Sequence, residues 1–352
     1  MDAGRSEGYT TMYANRLVAD ISDGMIKLLY GTRNKIKAFG LIPIPKESVT
    51  ESRIVNIDAI RSEIQDFLLD KNIKSKQISY VINGQGLVIR NIELPAISEK
   101  NTEESVRWEL NRNLPEEGKD YYIDYQIAGS TGSGKSRILK TLAVAAPVER
   151  IEQYVELTDS LNLKLLSVDI FGNSVARVFG KNKNGKEDNG IGVIYIGAET
   201  TRMCIIEKGN LAVEREVPFG IENLVREIMK KKEIGEYEAR VYLTEQFGFQ
   251  EAGDENEVNE RLKYLMDNVF SSFQKVIQFH NTGRTRKNLD EIFIIGLGAA
   301  IPELDRYLTR TLGMAATAVR DPIHIGRKIS YPSDFNFMHY AGTYGMLLRR
   351  EK

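Results

Sequence analysis

A pattern of three short β-rich runs followed by a helix occurs twice in the chain, with the two copies about 175 residues apart. The first copy starts RLVADISDGMIKLLYG and the second starts GIGVIYIGAETTRMCIIEKG. Asp-Gly between two apolar runs is a strong hairpin signal, because both turn positions favour positive φ. An amphipathic helix pattern follows the strands of each copy, at residues 58–70 and 221–232. This internal repeat predicts two similar α/β domains.

Two stretches look inserted into the repeated frame. The first has the pattern of a compact α-β-β-α unit, with helices at 99–113 and 148–161 and strands at 121–128 and 137–145. The second is almost entirely helical and ends in a long helical run at 257–280.

The repeat and the two insertions define the expected domains. They are a first large domain (12–92 and 163–185), an inserted domain (93–162), a second large domain (191–218 and 286–352) and a helical subdomain (219–285). A polar segment at 181–190 is interpreted as the linker between the halves. Residues 1–11 are polar and aperiodic, and we interpret them as a disordered leader or an expression remnant.

Composition and charge exclude several functional classes. The 48 basic residues nearly cancel the 49 acidic ones, so no global charge favours a nucleic acid or an anionic membrane. The single cysteine, Cys204, cannot form an intrachain disulfide, which fits a reducing cytoplasm. No apolar run is long enough to span a bilayer. The three histidines share no metal-ligand spacing, and we expect no transition-metal site.

The stretch GSTGSGKS at residues 129–136 matches the phosphate-loop pattern G-x-x-x-x-G-K-[ST] letter for letter. A working loop of this kind leads into a helix, because the helix N-terminal amides complete the anion site. Here the following residues, SRILKTLAVAAP, alternate and are rich in β-formers, so they predict a strand. We therefore interpret residues 129–136 as the tip of a hairpin.

Three plainer motifs occupy the corresponding turns of the duplicated frame. The first turn is DISDGMIK at residues 20–27, the second is YIGAETT at 195–201, and IIGLGA at 294–299 precedes IPEL. With these motifs the chain resembles the actin/Hsp70/sugar-kinase superfamily. Within that superfamily it is similar to the type IV pilus assembly protein PilM family, relatives of the division protein FtsA. The segments more specific to that family are IELP at 92–95, ELNRNLP at 109–115, DYQ at 124–126, VD at 168–169, REVPFG at 215–220 and AGTYGMLLR at 341–349.

The resemblance implies a fold and a nucleotide site. The fold is that of duplicated ribonuclease-H-like domains, called 1A and 2A, with an FtsA-type inserted domain 1C and a helical subdomain 2B. Backbone N–H groups of the two turns would clamp the phosphates of ATP with magnesium between the domains. Asp20 is the residue that could hold magnesium, and Asp20 and Asp169 are the catalytic candidates. The implied nucleotide-binding residues are Asp20, Ser22, Asp23, Gly24, Lys27, Gly197, Ala198, Glu199, Thr200, Gly296 and Gly298.

The chain departs from the superfamily pattern at several of these positions. Tyr195 stands where the second turn usually begins with an Asp, and Asp23 stands where a small hydroxyl residue usually faces the γ-phosphate. A carboxylate at Asp23 would repel that phosphate. Arg240 and Leu243 stand where the adenosine-side helix usually carries Glu and Lys. We therefore expect a degenerate cleft with weak or absent ATPase activity.

Each candidate also has a purely structural interpretation. Asp20 could be a buried carboxylate satisfied by its neighbours, and Asp169 could cap the helix that follows it. Glu199 could lie in a solvated turn. Gly296 and Gly298 could form a tight strand-to-helix turn with no nucleotide bound.

The functional expectation follows from the resemblance. It is a cytoplasmic component of the type IV pilus inner-membrane platform that binds the N-terminal cytoplasmic segment of a PilN-like membrane protein. Through that partner it would lie at the inner face of the membrane and reach the motor ATPases. The peptide groove is expected among residues 92–113 and 121–145. The alternatives are an active ATPase of the superfamily, an FtsA-like filament protein and a type II secretion component, and self-association stays open.

Overall fold

The computed structural model describes residues 15–112, 114, 120–180, 190–249, 257–282 and 289–350. The leader at 1–11 and all but the last residue of the linker at 181–190 lie outside the described residues.

The first half builds a five-stranded mixed sheet. Its elements are β1 (Arg16–Ser22), β2 (Met25–Thr32), β3 (Lys35–Pro43), the short β4 (Val49–Thr50) and β5 (Arg53–Ile54), helix α1 (Ile57–Asp70), β6 (Gln77–Ile82) and β10 (Lys164–Ile170). β1 to β3 form an antiparallel meander, and β6 and β10 lie parallel to β1 on its other side. The order across this sheet is β10-β6-β1-β2-β3.

The second half repeats this topology, as the internal repeat predicts. Its strands are β11 (Gly190–Ile196), β12 (Thr201–Glu207), β13 (Asn210–Val217), β14 (Leu289–Ile295) and β15 (Ala315–Ala318). Their order is β13-β12-β11-β14-β15, so in both sheets the third, second, first, fourth and fifth strands lie side by side. The duplicated α/β fold is therefore confirmed.

A small three-stranded sheet lies between β6 and β10 in the chain. It contains β7 (Val88–Pro95), helix α2 (Glu99–Asn111), β8 (Tyr121–Thr131), β9 (Ile138–Pro147) and helix α3 (Val148–Ser160). All residues of β7 pair with β9. The unit is therefore β-α-β-β-α, with one strand more than the sequence predicts. The boundary at 93 cuts through β7, and we propose to move it to Val88.

The small sheet also contacts the second half. The Asn91 side-chain amide donates to the Ala212 carbonyl at 2.6 Å, and Asn210 donates to the Ala128 carbonyl at 3.1 Å. The inserted domain therefore contacts the edge strand β13 of the second sheet. Its helix α3 packs against the first half, where Tyr154 contacts Tyr80 of β6.

Residues 129–136 close the β8–β9 hairpin, as predicted. β8 continues to Thr131, a single 3₁₀ turn covers Gly134–Ser136, and β9 starts at Ile138. Since no helix follows, the amides of this loop lack the helix N-terminus that a phosphate loop uses.

Helices cover the faces of the second half and join it to the first. They are α4 (Phe171–Phe179), α5 (Ile221–Lys232), α6 (Glu236–Val241), α7 (Glu257–Thr282), α8 (Leu304–Leu312) and α9 (Phe337–Leu347). The predicted helix at 221–232 is confirmed. Of the helices in the described ranges, none has the combination of length and apolar character that a bilayer crossing needs.

Helix α9 returns to the first sheet although it follows the strands of the second. Phe337, Tyr340 and Tyr344 are buried in the same core as β1 and β2. A Cβ at Gly345 would lie 2.0 Å from the Ser174 carbonyl oxygen, so glycine is what permits the close contact between α9 and α4. The end of the segment at 286–352 therefore packs with the first domain, while Met338 at the start of α9 keeps contact with the second.

Candidate functional site

The first turns of the two halves face each other across the centre of the molecule. In the β1–β2 turn, Asp23 and Gly24 have φ values of 58° and 74°, as an Asp-Gly hairpin turn requires. In the β11–β12 turn, the Gly197 amide donates to the Thr200 carbonyl at 2.9 Å and closes a tight loop. The duplication thus places two hairpin turns tip to tip.

The side chain of Asp23 crosses this gap and binds the opposite turn. Its Oδ2 accepts hydrogen bonds from the Ala198 amide at 2.7 Å and the Tyr195 hydroxyl at 2.9 Å. Its Oδ1 accepts from the Glu199 amide at 2.7 Å and the Thr200 amide at 2.9 Å, with the Thr200 hydroxyl at 3.4 Å. Three consecutive backbone amides therefore point at one carboxylate, which is the arrangement of an anion-binding nest.

Asp20 and Lys27 form a buried ion pair next to this contact. The two residues face each other on β1 and β2, are 2% and 5% exposed, and approach to 3.2 Å between Nζ and Oδ2. The Ser22 hydroxyl donates to the other Asp20 oxygen at 2.5 Å. Lys27 and Asp20 therefore neutralise each other, as a buried pair must.

The buried network continues across the lobes through residues that were not predicted. Asn83, which follows β6, donates to the Ser22 hydroxyl at 3.1 Å and accepts from Arg202 at 2.8 Å. Arg202 is 3% exposed and is also paired with Glu216 on β13. The internal repeat could have predicted this role of Arg202, because it aligns Arg202 on β12 with Lys27 on β2. Both residues are buried cations.

Tyr195 contributes a hydroxyl where the superfamily pattern has a carboxylate. Burial raises the pKa of its phenol well above the ordinary value, and the carboxylates of Asp23 and Asp20 raise it further. The phenol therefore stays protonated and donates to Asp23. The guanidinium of Arg202 lies over its ring at 5.5 Å from the centroid.

Gly296 and Gly298 lie in the turn after β14. Gly296 has a φ of 83°, and its amide donates to the Met338 carbonyl at 2.9 Å. A Cβ at Gly298 would lie 2.5 Å from the Ile196 side chain. The tight turn therefore needs glycine for packing, whether or not a nucleotide binds.

Asp169, near the end of β10, forms its hydrogen bonds with residues outside the facing turns. One of its oxygens accepts from Arg177 at 2.6 Å and from Arg349 at 2.8 Å, while the other accepts from the Asn173 side chain at 3.0 Å. Two guanidinium groups thus hold this carboxylate at the junction of α4 with the end of α9, and its assignment as a catalytic candidate stays a prediction.

Arg240 and Leu243, at the positions aligned with the adenosine-side helix, both contact other residues of the protein. The Arg240 guanidinium pairs with Glu222 at 2.6 Å and with Glu236 at 2.7 Å. Leu243 is buried in the core of the helical subdomain. Neither position offers a free polar group of the kind that the superfamily pattern places there.

In this arrangement the amides that would receive a phosphate already bind Asp23, so a phosphate could reach them only if that carboxylate moved away. One cavity beside the turns, lined by Lys27, Tyr195, Gly296 and His339, measures about 10 Å³, which holds about one water molecule. A second cavity, lined by residues of both turns together with Asn83 and Arg202, measures about 260 Å³. Burial and the charge of Lys27 lower the pKa of His339 to about 4, so His339 is neutral here. In the described part of the chain, no group of three or more His, Cys, Asp or Glu side chains is placed to hold a metal ion.

Comparison with known proteins gives one family and one fold. The model of a family described as type IV pilus assembly protein PilM matches residues 19–339. A solved PilM-PilN type IV pilus biogenesis complex is similar, with a TM-score of 0.76, 17% identity and coverage of 96% of this chain and 98% of that chain. The ethanolamine utilization protein EutJ from Carboxydothermus hydrogenoformans has a TM-score of 0.55 at 14% identity, covering 95% and 89%. MreB 5 of Spiroplasma citri bound to AMPPNP has a TM-score of 0.53 at 12% identity, covering 94% and 95%. These neighbours share the actin-like fold.

Proposed function

The chain belongs to the type IV pilus assembly protein PilM family, and we propose that it is a docking component of the pilus inner-membrane platform rather than an efficient enzyme. The proposed partner is the N-terminal cytoplasmic segment of a PilN-like membrane protein. Support comes from the match to a structure described as a PilM-PilN complex, which covers nearly the whole of both chains.

The proposed docking surface lies on the inserted domain. Apolar side chains there are exposed although their neighbours pack into a small core of their own. They are Ile97, Trp108, Tyr122, Ile127 and Ile138. Exposed apolar side chains on a small domain are typical of peptide capture, in which main-chain contacts supply affinity and pockets supply specificity. These exposed apolar side chains, above all Trp108 on α2, are the observation that carries the proposal.

Among these exposed side chains, Trp108 is the one that we expect to contribute most to binding. It is 62% exposed on α2, and the Arg112 guanidinium lies over its ring at 4.7 Å from the centroid. Stacking by arginine orients the indole without burying it. Tryptophan is also enriched among the side chains that dominate binding energy at interfaces.

The docked chain would lie at the cytoplasmic face of the inner membrane through its partner. From that position it would link the membrane platform to the motor ATPases that extend and retract the pilus. Its own cleft would contribute little or no ATP turnover. In this proposal the partner supplies the attachment to the membrane, and no nucleic acid is involved.

Peptide binding tests the docking proposal. Synthetic peptides that cover the N-terminal segments of PilN-like proteins would be titrated into the full chain by calorimetry. We expect Trp108→Ala to weaken binding at least about tenfold, since truncating a central aromatic costs roughly 1.4 kcal/mol or more. Phe279→Ala is the matched control, because Phe279 is 81% exposed but lies on α7 in the helical subdomain. No binding by the parent chain, or equal losses in both variants, would contradict the proposal.

A further inference from the structure

The anion nest of the second turn already contains a ligand supplied by the chain itself. We propose that the turn Gly197–Thr200 is an anion-binding site whose resident ligand is the carboxylate of Asp23, so that the two lobes are latched together without a nucleotide. The observation stands on the contacts between the turns and needs no partner protein. It can therefore hold or fail independently of the docking proposal.

The donors around Asp23 match the requirements of an anion closely. The amides of Ala198, Glu199 and Thr200 share two carboxylate oxygens, and the hydroxyls of Tyr195 and Thr200 approach the same oxygens. Hydrogen bonds to an ionised acceptor are shorter and stronger than neutral ones. Two of these five distances are 2.7 Å and two are 2.9 Å, while the Thr200 hydroxyl is farther away at 3.4 Å. A phosphate oxygen would need the same amides, so a phosphate and Asp23 compete for one site.

The packing around the nest is built to the size of this carboxylate. A Cβ on Gly197 would lie 1.4 Å from Asp23 Oδ2, which means that only glycine leaves room for the carboxylate. Asp23 itself has a φ of 58°, in the left-handed region that Asp adopts more readily than most residues. The first turn thus aims a carboxylate, and the second turn is shaped to receive it.

The latch also reaches the helical subdomain through the other side of the second turn. The carbonyls of Gly197 and Ala198 accept hydrogen bonds from the amides of Ile221 and Glu222, each at 2.9 Å, at the start of α5. The amides of the turn therefore face the first lobe, and its carbonyls hold the first helix of the subdomain. Loss of the Asp23 contact should consequently loosen both the lobe contact and the start of α5.

Chemical rescue with inorganic phosphate tests the latch. Asp23→Gly removes the carboxylate and keeps a residue that accepts positive φ, so the backbone of the turn is not strained. Lys208→Gly is the matched control, because Lys208 and Gly209 form a second X-Gly hairpin turn, with φ values of 49° and 75°. Thermal unfolding of each full-length variant would be measured in phosphate and in chloride at equal ionic strength.

We expect Asp23→Gly to lower the unfolding midpoint by several degrees and phosphate to recover a large part of that loss, since a ligand that binds only the folded state stabilises it. Phosphate should not shift the parent chain or Lys208→Gly beyond the chloride control. An unchanged midpoint in Asp23→Gly, or an equal phosphate shift in the parent chain, would overturn the latch.

A second measurement covers the case in which Asp23→Gly does not fold. The parent chain would be titrated with a fluorescent ATP analogue and magnesium, and Asp23→Asn would be compared in the same titration. The asparagine amide keeps the shape of the side chain but places a donor against the amides of the nest. We expect no saturable binding to the parent chain. Saturable binding that unlabelled ATP displaces would overturn the latch, whatever the peptide titrations show.

Discussion

Two glycine-containing loops of this protein invite opposite interpretations, and their surroundings decide between them. The loop at residues 129–136 matches a phosphate-binding motif at every position, whereas Gly197–Thr200 does not match that motif. Yet a Cβ at Gly129 would meet no atom within 4 Å, while one at Gly197 would collide with a carboxylate. Gly129 thus lies beside open space, whereas the plain turn has an anion against its amides.

The difference shows that anion binding depends on where backbone amides point rather than on the letters of a motif. A single 3₁₀ turn joins β8 to β9, and no helix follows it to align its amides. The second turn is fixed by its own closing hydrogen bond and by its contacts with α5, so its three amides converge.

The largest expected difference in stability is between variants of two lysines, Lys27 beside the facing turns and Lys135 in the hairpin tip. Lys27→Met leaves Asp20 as a buried carboxylate without its cation, and breaking a buried pair in this way costs about 3–5 kcal/mol. Lys135→Met changes a residue of the hairpin tip, and we expect the free energy of unfolding to stay within about 0.5 kcal/mol. Chemical denaturation of both variants measures the difference. Comparable losses would show that the tip is as structured as the cleft.

A smaller difference is expected between the glycines. Gly197→Ala forces Asp23 out of its position, and we expect a loss of about 2–4 kcal/mol, comparable with other substitutions that break a buried contact. Gly129→Ala, in open space within β8, should change stability by about 0.5 kcal/mol or less. The same denaturation experiment applies, and a tolerated Gly197→Ala would argue that the turns do not touch in solution.

The smallest expected effect is a pH dependence of the unfolding midpoint that comes from the buried carboxyl group of Glu214. Burial raises the pKa of Glu214, on β13, to about 7, although nearby Arg202 opposes the shift. A carboxyl group with a raised pKa stabilises the fold fully below its ordinary value of about 4.5, and this contribution is lost as the pH rises through 7. Glu214→Gln should therefore reduce the fall of the unfolding midpoint between about pH 5 and pH 8. Parallel curves for the variant and the parent chain would contradict the assignment of this group.

The fold was predictable from the sequence because its signals are local and repeated. The Asp-Gly turn, the alternating strands and the helix at 221–232 each depend on neighbouring residues, and the second copy confirms the first. The context that assigns residues 129–136 to a hairpin is equally local.

The features that were missed depend on residues far apart in the chain. Asp23 lies well over a hundred residues before the amides that it binds, so its role as an acceptor was visible only as a departure from a pattern. Arg349 reaches Asp169 because α9 returns to the first lobe, and β7 joins the small sheet because β9 pairs with it. No local periodicity carries that information.

Hydrogen exchange at the amides of Ala198, Glu199 and Thr200 tests the central claim most directly. These three amides donate to Asp23 in the folded chain, so they should be protected from exchange in the absence of nucleotide. Adding ATP with magnesium should leave their protection unchanged, and Asp23→Gly should remove it. Amides that exchange freely in the nucleotide-free chain and become protected when ATP and magnesium are added would contradict the account.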